Sequence, residues 1–275
     1  MNNDSPQKAL LVVFLVALIC SVLVSVASIM LKPIQLRNQL VEKSKNVIAL
    51  TGLMDDAAGL SGSAVMDTVN QLDIRVLDIA GGDFAGDINA AEFDSRAASN
   101  DPNLSIKIPP ELDVASLGRR SRYEIVYLVW DGDQLSRIIL PIAGQGMWST
   151  IRGYIALEND LNTIAAVSFY EQTETAGLGD QIERPDWQAQ WQGRQIYDSQ
   201  GRYRFRIGPG TIAPDSPASA YQVDSLSGAT VTSDAVTRIV AYWFGPNGYK
   251  PFLEKIESRP PGKTNLLDTT GGAAL

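Results

Sequence analysis

The chain has 275 residues, a net charge of -8, no histidine and a single cysteine, Cys20. These absences exclude Ser-His-Asp and Cys-His catalysis, histidine-ligated zinc or haem, cysteine-held iron–sulfur clusters and intrachain disulfides. No metal site is expected, the acidic balance without a basic run argues against a nucleic-acid partner, and redox or proton chemistry near neutral pH would need an imported cofactor.

Residues 1–8 read as a short N-terminal tail. From Ala9 to Leu31 the chain reads "ALLVVFLVALICSVLVSVASIML", uncharged and bounded by Lys8 and Lys32. At ~1.5 Å per residue this run is long enough for a transmembrane helix across a ~30 Å hydrocarbon core, and longer than the ~7–15 apolar residues of a cleaved signal peptide. Lys32, Arg37, Lys43 and Lys45 follow the span. Counted plainly they would keep the following domain in the cytoplasm, but such counts lose force when a long domain follows.

Residues 32–120 read as a membrane-proximal helix and a mixed α/β region. Ile34, Leu36, Leu40, Val41, Val47 and Ile48 lie near helical spacing, which predicts a helix from Pro33, in its first turn, to about Leu50. Beyond it, stretches such as "AGGDFAGDINAAEFDSRAASNDPN" predict irregular structure around short elements.

Residues 121–261 carry the clearest pattern. "RYEIVYLVW", "LSRIILPI", "YIALE" and "TIAAVSFYEQ" predict strands, with a hairpin at Asp131-Gly132. "DWQAQWQGRQIYD" predicts a short helix with Asp186 as N-cap and Trp187 and Trp191 at i, i+4, serving as core anchors or as a cofactor platform. "RYRFRI" predicts another strand before a Pro/Gly loop at Pro209–Pro217. Val236, Ile239, Val240, Trp243 and Phe244 then mark the apolar face of a helix, capped by Thr232 or Ser233, with Asp234 in its first turn and Gly245-Pro246 stopping it. Residues 262–275 read as a flexible tail.

Two stretches carry candidate chemistry. "DSLSGAT", Asp224 to Thr230, precedes this helix. Its plain reading is a tight turn with a capping residue. The alternative is that Thr230 presents its hydroxyl at a helix N-terminus suited to a phosphate, with Gly228 and Ala229 leaving room for a bulky group. The second stretch combines "AGQGMWS" with "TETAGLG". Gly144-Gln145-Gly146 does not fit a dinucleotide loop, because the third glycine is missing and a strand follows.

"DSLSGAT" resembles the Asp-x-x-Ser/Thr-Gly-Ala-Thr sequence of proteins that carry FMN through a phosphoester on the final threonine. With "YLVWDGD", "ILPIAGQGMWS", "TETAGLG", "PDWQAQWQG", "LSGATVTS" and "PFLEKI", most of the chain is similar to the C subunits of Na+-translocating NADH:quinone reductases. The resemblance implies an α+β fold: one N-terminal transmembrane helix, then an FMN-binding domain with a largely antiparallel sheet flanked by helices. It implies covalent FMN on Thr230, transferred from FAD by a separate flavin transferase that recognises Asp224, Ser227, Gly228 and Ala229. No catalytic residue is then needed beyond the flavin.

An FMN site also needs polar groups for the ring edge and apolar cover. Thr173, Glu174, Thr175, Gly177, Leu178 and Gly179 are candidates for the first, and Met147 and Trp148 for the second, unless those two are core residues. A carboxylate such as Glu174 near a reduced flavin would influence its protonation. Where relatives have proline this chain has Ala176, a change expected to loosen the loop by less than ~1 kcal/mol.

The implied function is an electron relay in a membrane complex coupling NADH:quinone oxidoreduction to Na+ export. Its partners would be the other subunits and lipid, and its place the bacterial inner membrane with the large domain on the periplasmic side. The alternatives are the flavoprotein subunit of an Rnf-type ferredoxin:NAD+ oxidoreductase, which shares the threonine motif, and a non-redox membrane-tethered assembly module.

Overall fold

A computed structural model describes residues 6–53, 59–69, 71–213 and 215–263, so most of the predicted tail, 264–275, lies outside the described residues. The chain divides into two compact units, Met1–Ser44 and Lys45–Leu275. The elements in chain order are α1 (Pro6–Thr51), α2 (Gly62–Val69), β1 (Asp73–Asp78), β2 (Asp83–Phe84), α3 (Ser95–Asn100), β3 (Ser105–Lys107) and β4 (Arg119–Ser121). They continue with β5 (Tyr123–Asp131), β6 (Gln134–Gln145), β7 (Thr150–Glu158), β8 (Ile164–Glu171), α4 (Pro185–Ala189), β9 (Arg206–Gly208), β10 (Gln222–Asp224), α5 (Thr230–Trp243) and α6 (Lys250–Ser258). Short 3₁₀ turns occupy Gly179–Glu183 and Pro217–Ala220.

Lys8–Gln35 of α1 is long and apolar enough to cross a membrane, and Cys20 is exposed on it. The helix runs on through Pro33, so Pro33 is not the first-turn residue of a second helix. A proline inside a helix removes one N–H and crowds the carbonyl four residues back, which here is one rung in a long ladder.

A six-stranded antiparallel sheet in the order β2-β1-β5-β6-β7-β8 forms the second unit's frame. This is the α+β architecture with a largely antiparallel sheet that the resemblance implied. β1 pairs with β5 over its full length, so the sheet draws a strand from the 32–120 region. β5 and β6 are joined at Gly132-Asp133, with Asp131 opposite Gln134 and Gly132 at φ 60°, as the Asp-Gly signal predicted. The pair β9–β10 is parallel and three residues long.

One face of the sheet holds the main core. Val236, Ile239, Val240, Trp243 and Phe244 of α5 are all buried there, as the helical spacing required. Trp243 Nε1 donates to Ala143 O (2.7 Å) and Tyr249 Oη donates to Pro141 O (2.5 Å), so the α5–α6 segment is fixed to β6 by both packing and hydrogen bonds. Trp187 and Trp191 are core anchors, edge to face at 5.5 Å. Their helix is shorter than predicted: α4 has Arg184, not Asp186, as its N-cap, with Pro185 at the first position, and Trp191 lies beyond its end. Pro185 suits a first helical turn, where its missing N–H costs nothing. The opposite face carries a smaller cluster in which Val47 and Leu50 meet Val129, Ile139 and Tyr154.

Candidate functional site

Helix α5 begins at Thr230, one residue after its N-cap Ala229, and no side chain caps it. The predicted caps do other work. Thr232 and Ser233 sit inside the first turn and are buried; Thr232 Oγ1 donates to Glu174 Oε2 (2.6 Å), and Ser233 Oγ accepts from Leu226 N (3.1 Å). Both hydroxyls are drawn into tertiary bonds, so the helix end keeps free N–H groups that favour an anion. Thr230 itself is exposed at this end.

The "SGAT" turn is shaped from both sides. Gly228 has φ 74°, which disfavours any other residue, and a Cβ there would lie 3.0 Å from Leu178 Cδ2. Ser227 and Gly228 are exposed and Ala229 is buried. Asp224 faces elsewhere: its Oδ1 accepts from Ile212 N (2.8 Å) and its carbonyl accepts from Trp187 Nε1 (2.9 Å). Asp224 thereby ties the 209–213 loop and the tryptophan core to the start of the motif.

Across from Thr230 stand two loops. Residues 146–149 turn from β6 into β7, the strand expected from "YIALE", and residues 172–179 leave β8. Glu174, 7% exposed, joins them: Oε1 accepts from Met147 N (3.0 Å) and Trp148 N (3.1 Å), while Oε2 takes the Thr232 hydroxyl. Trp148 Nε1 donates to Thr175 Oγ1 (3.1 Å), and Thr173 N donates to Ser149 Oγ (2.9 Å). Gly179 is required by contact, because a Cβ would sit 2.6 Å from Thr232 Oγ1 and 2.8 Å from Glu174 Cβ. Gly177 (φ 76°) turns the loop tip.

These elements enclose an open cavity of about 260 Å³. Met147, Thr175, Leu178, Gly179, Gly228, Ala229 and Thr230 line it, so residues from all three predicted segments meet at one place. Glu174, Thr173, Gly177, Trp148, Asp224 and Ser227 are not in its wall. Val231 and Thr232 are, and neither was singled out for a site; only their position directly after Thr230 could have pointed to them. Met147 and Trp148 are 47% and 64% exposed, and Leu178 and Val231 are exposed beside them, so none of the four is a core residue. Apolar side chains left in water around one threonine mark a surface made to be covered.

The residues present fit FMN. Uncapped N–H groups at the start of α5 suit a phosphate next to the Thr230 hydroxyl, and Met147, Trp148, Leu178 and Val231 suit an apolar ring. The pattern of the FMN-binding domain family matches residues 146–245, a range that encloses both loops and all of α5. The chain is 39% identical over 256 residues to the C subunit of the Na(+)-translocating NADH-quinone reductase of Pseudomonas aeruginosa, covering 93% of this chain and 97% of that one. It is 40% identical over 258 residues to the protein of the same name from Neisseria meningitidis, covering 94% and 96%. The crystal structure of Shewanella oneidensis NqrC superposes with a TM-score of 0.72 at 30% identity, over 81% of this chain and 98% of that one.

Proposed function

The chain belongs to the family of Na(+)-translocating NADH-quinone reductase C subunits, and from that premise we propose that it carries FMN as a phosphoester on Thr230 and relays electrons within a membrane complex. The single observation that supports this most is the placement of Thr230: an exposed hydroxyl at an uncapped helix start, facing a cavity rimmed by exposed apolar side chains. FMN held there would supply reversible one-electron chemistry of the kind that cofactors, and not ordinary side chains, carry in electron relays.

The chain's own residues seat and position that group. Thr230 gives the ester oxygen, and the first N–H groups of α5 face the phosphate. Met147, Trp148, Leu178 and Val231 exclude water from the ring's faces. Glu174 acts one step back, by holding the 146–149 turn and α5 at a fixed separation. Its two oxygens take three donors, which makes it a positioning residue.

Attachment needs an outside enzyme, because among the described residues no base lines the cavity at Thr230; a flavin transferase using FAD fills that role. Asp224 shapes the recognised turn through its backbone-directed bonds, while Ser227 and Gly228 are presented to the transferase. The apolar stretch of α1 anchors the chain in the bacterial inner membrane with the large domain on the periplasmic side. There it meets the other subunits of a complex that couples NADH oxidation by quinone to Na+ export. Ultraviolet-excited fluorescence of the chain after denaturing electrophoresis tests the attachment. A fluorescent band that depends on co-production with the transferase is expected; a dark band would remove the proposal.

A further inference from the structure

A larger cavity in the domain, about 530 Å³, shares no residue with the one at Thr230. It opens between α3, β4 and the ends of β6 and β7, and four arginines line it: Arg96, Arg119, Arg120 and Arg152. On a chain of net charge -8 this concentration of positive charge needs a reason. Structural pairing accounts for part of it. Arg120 is buried and donates to Tyr242 Oη, Ser121 O and Asn247 O, and Arg119 donates to Ser105. Arg96 Nη1 pairs with Glu171 at 3.1 Å.

Arg152 is different. Its Nε is buried and makes no hydrogen bond, the nearest carboxylate oxygen, Glu171 Oε1, being 3.8 Å away. That ion pair leaves the rest of the side chain, 23% exposed, facing the cavity that Arg152 lines, and guanidinium groups match phosphate oxygens well. The carboxylate inside the cavity, Glu124, does not supply the missing acceptor. It is buried, takes a hydrogen bond from Ser95, and stands near Arg152, Arg120 and Asp94. Burial pushes its carboxyl up to about 7 despite Ser95 and the two arginines, with Asp94 adding to the rise, so near neutral pH part of the population is uncharged. The rest of the wall is polar, with Ser99, Asn100, Gln145 and Thr150 among its residues. The volume exceeds what a bare phosphate fills.

We propose that this cavity binds a small organic phosphate with a polar, hydroxylated body, its phosphate held by Arg152 with Arg96 and Arg119 and its body by the α3 and β6–β7 walls. The phosphate can come from a free metabolite or from the glycerophosphate headgroup of an anionic lipid, which present the same chemistry. The site is independent of the flavin reading.

The test uses the full chain in lipid nanodiscs of phosphatidylcholine or of phosphatidylglycerol, titrated calorimetrically with glycerol 3-phosphate at low salt. In phosphatidylcholine, saturable binding is expected, weakened at least tenfold in Arg152→Gln and in Gln145→Glu. The second change is isosteric, lies on the exposed rim and places a negative charge against the ligand, so it decides the matter even if Arg152→Gln misfolds. Loss of glycerol 3-phosphate uptake only in phosphatidylglycerol identifies the lipid headgroup as the occupant and upholds the site. No binding in phosphatidylcholine, or binding that inorganic sulfate matches and both variants retain, overturns it.

Discussion

Thr232 Oγ1 donates a 2.6 Å hydrogen bond to Glu174 Oε2, joining the first turn of α5 to a loop 58 residues earlier in the chain. The same carboxylate takes the N–H groups of Met147 and Trp148, so one buried side chain fixes three segments around Thr230. Glu174→Ala would leave two backbone donors and a hydroxyl unpaired. A loss of roughly 2–4 kcal/mol is expected, from the cost of buried unsatisfied groups, with Thr232→Val losing about 1–2 kcal/mol. Urea unfolding of the two variants and their double mutant should give a sum of single losses larger than the double loss, because they remove one shared bond.

Ala176 occupies a position built for proline. Leu178 N donates to Thr175 O (3.1 Å), and Gly177 has φ 76°, the pattern of a type II turn with Ala176 at its second place. No acceptor for the Ala176 N–H is found among the described residues. Ala176→Pro should therefore raise stability by about 0.4–1 kcal/mol, chiefly by restricting the unfolded chain. Thermal melting checks this, and a lower melting temperature would show that the turn is not of this type.

Glu124 predicts a stability that depends on pH. Its ordinary value of 4.5 rises to about 7 in the folded protein, chiefly through burial. Between those values the native state holds a proton that the unfolded chain has released, so stability falls as pH rises through the window. Glu124→Gln should remove that slope and stabilise the protein at pH 8, on the order of 3 kcal/mol. Melting curves between pH 4.5 and 8 measure it; parallel pH profiles for the two proteins would contradict the assignment.

Trp148 is 64% exposed, so Trp148→Ala should change the stability of the flavin-free chain by less than about 0.5 kcal/mol. With FMN in place the same change should raise quenching of flavin fluorescence by iodide, because one apolar cover is gone. An unchanged quenching constant would place the ring elsewhere.

How far the sequence carried the fold depends on where each element finds its partners. α5 was legible because five apolar residues at helical spacing all face one core, and the β5–β6 hairpin because Asp131-Gly132 carries its own turn signal. The start of α5 was not. Thr232 and Ser233 are good caps by local preference, but tertiary partners at Glu174 and Leu226 claim their hydroxyls. β1 was hidden for a related reason. "DIRVLD" mixes charges into a strand, and the buried Asp73 is satisfied there by partners that include Arg75 and Trp130. Of the site, Thr230 and both loops were readable as motifs. Glu174's bracing role, and the meeting of arginines from α3, β4 and β7, exist only once the sheet has formed.

The central claim concerns one hydroxyl. Intact mass spectrometry of the full chain, co-produced with its flavin transferase, tests it most directly. The mass of one added FMN, absent in a Thr230→Ala protein that melts at the same temperature, is the predicted result. An unmodified wild-type chain, or a Thr230→Ala chain that still carries the flavin mass, would contradict it.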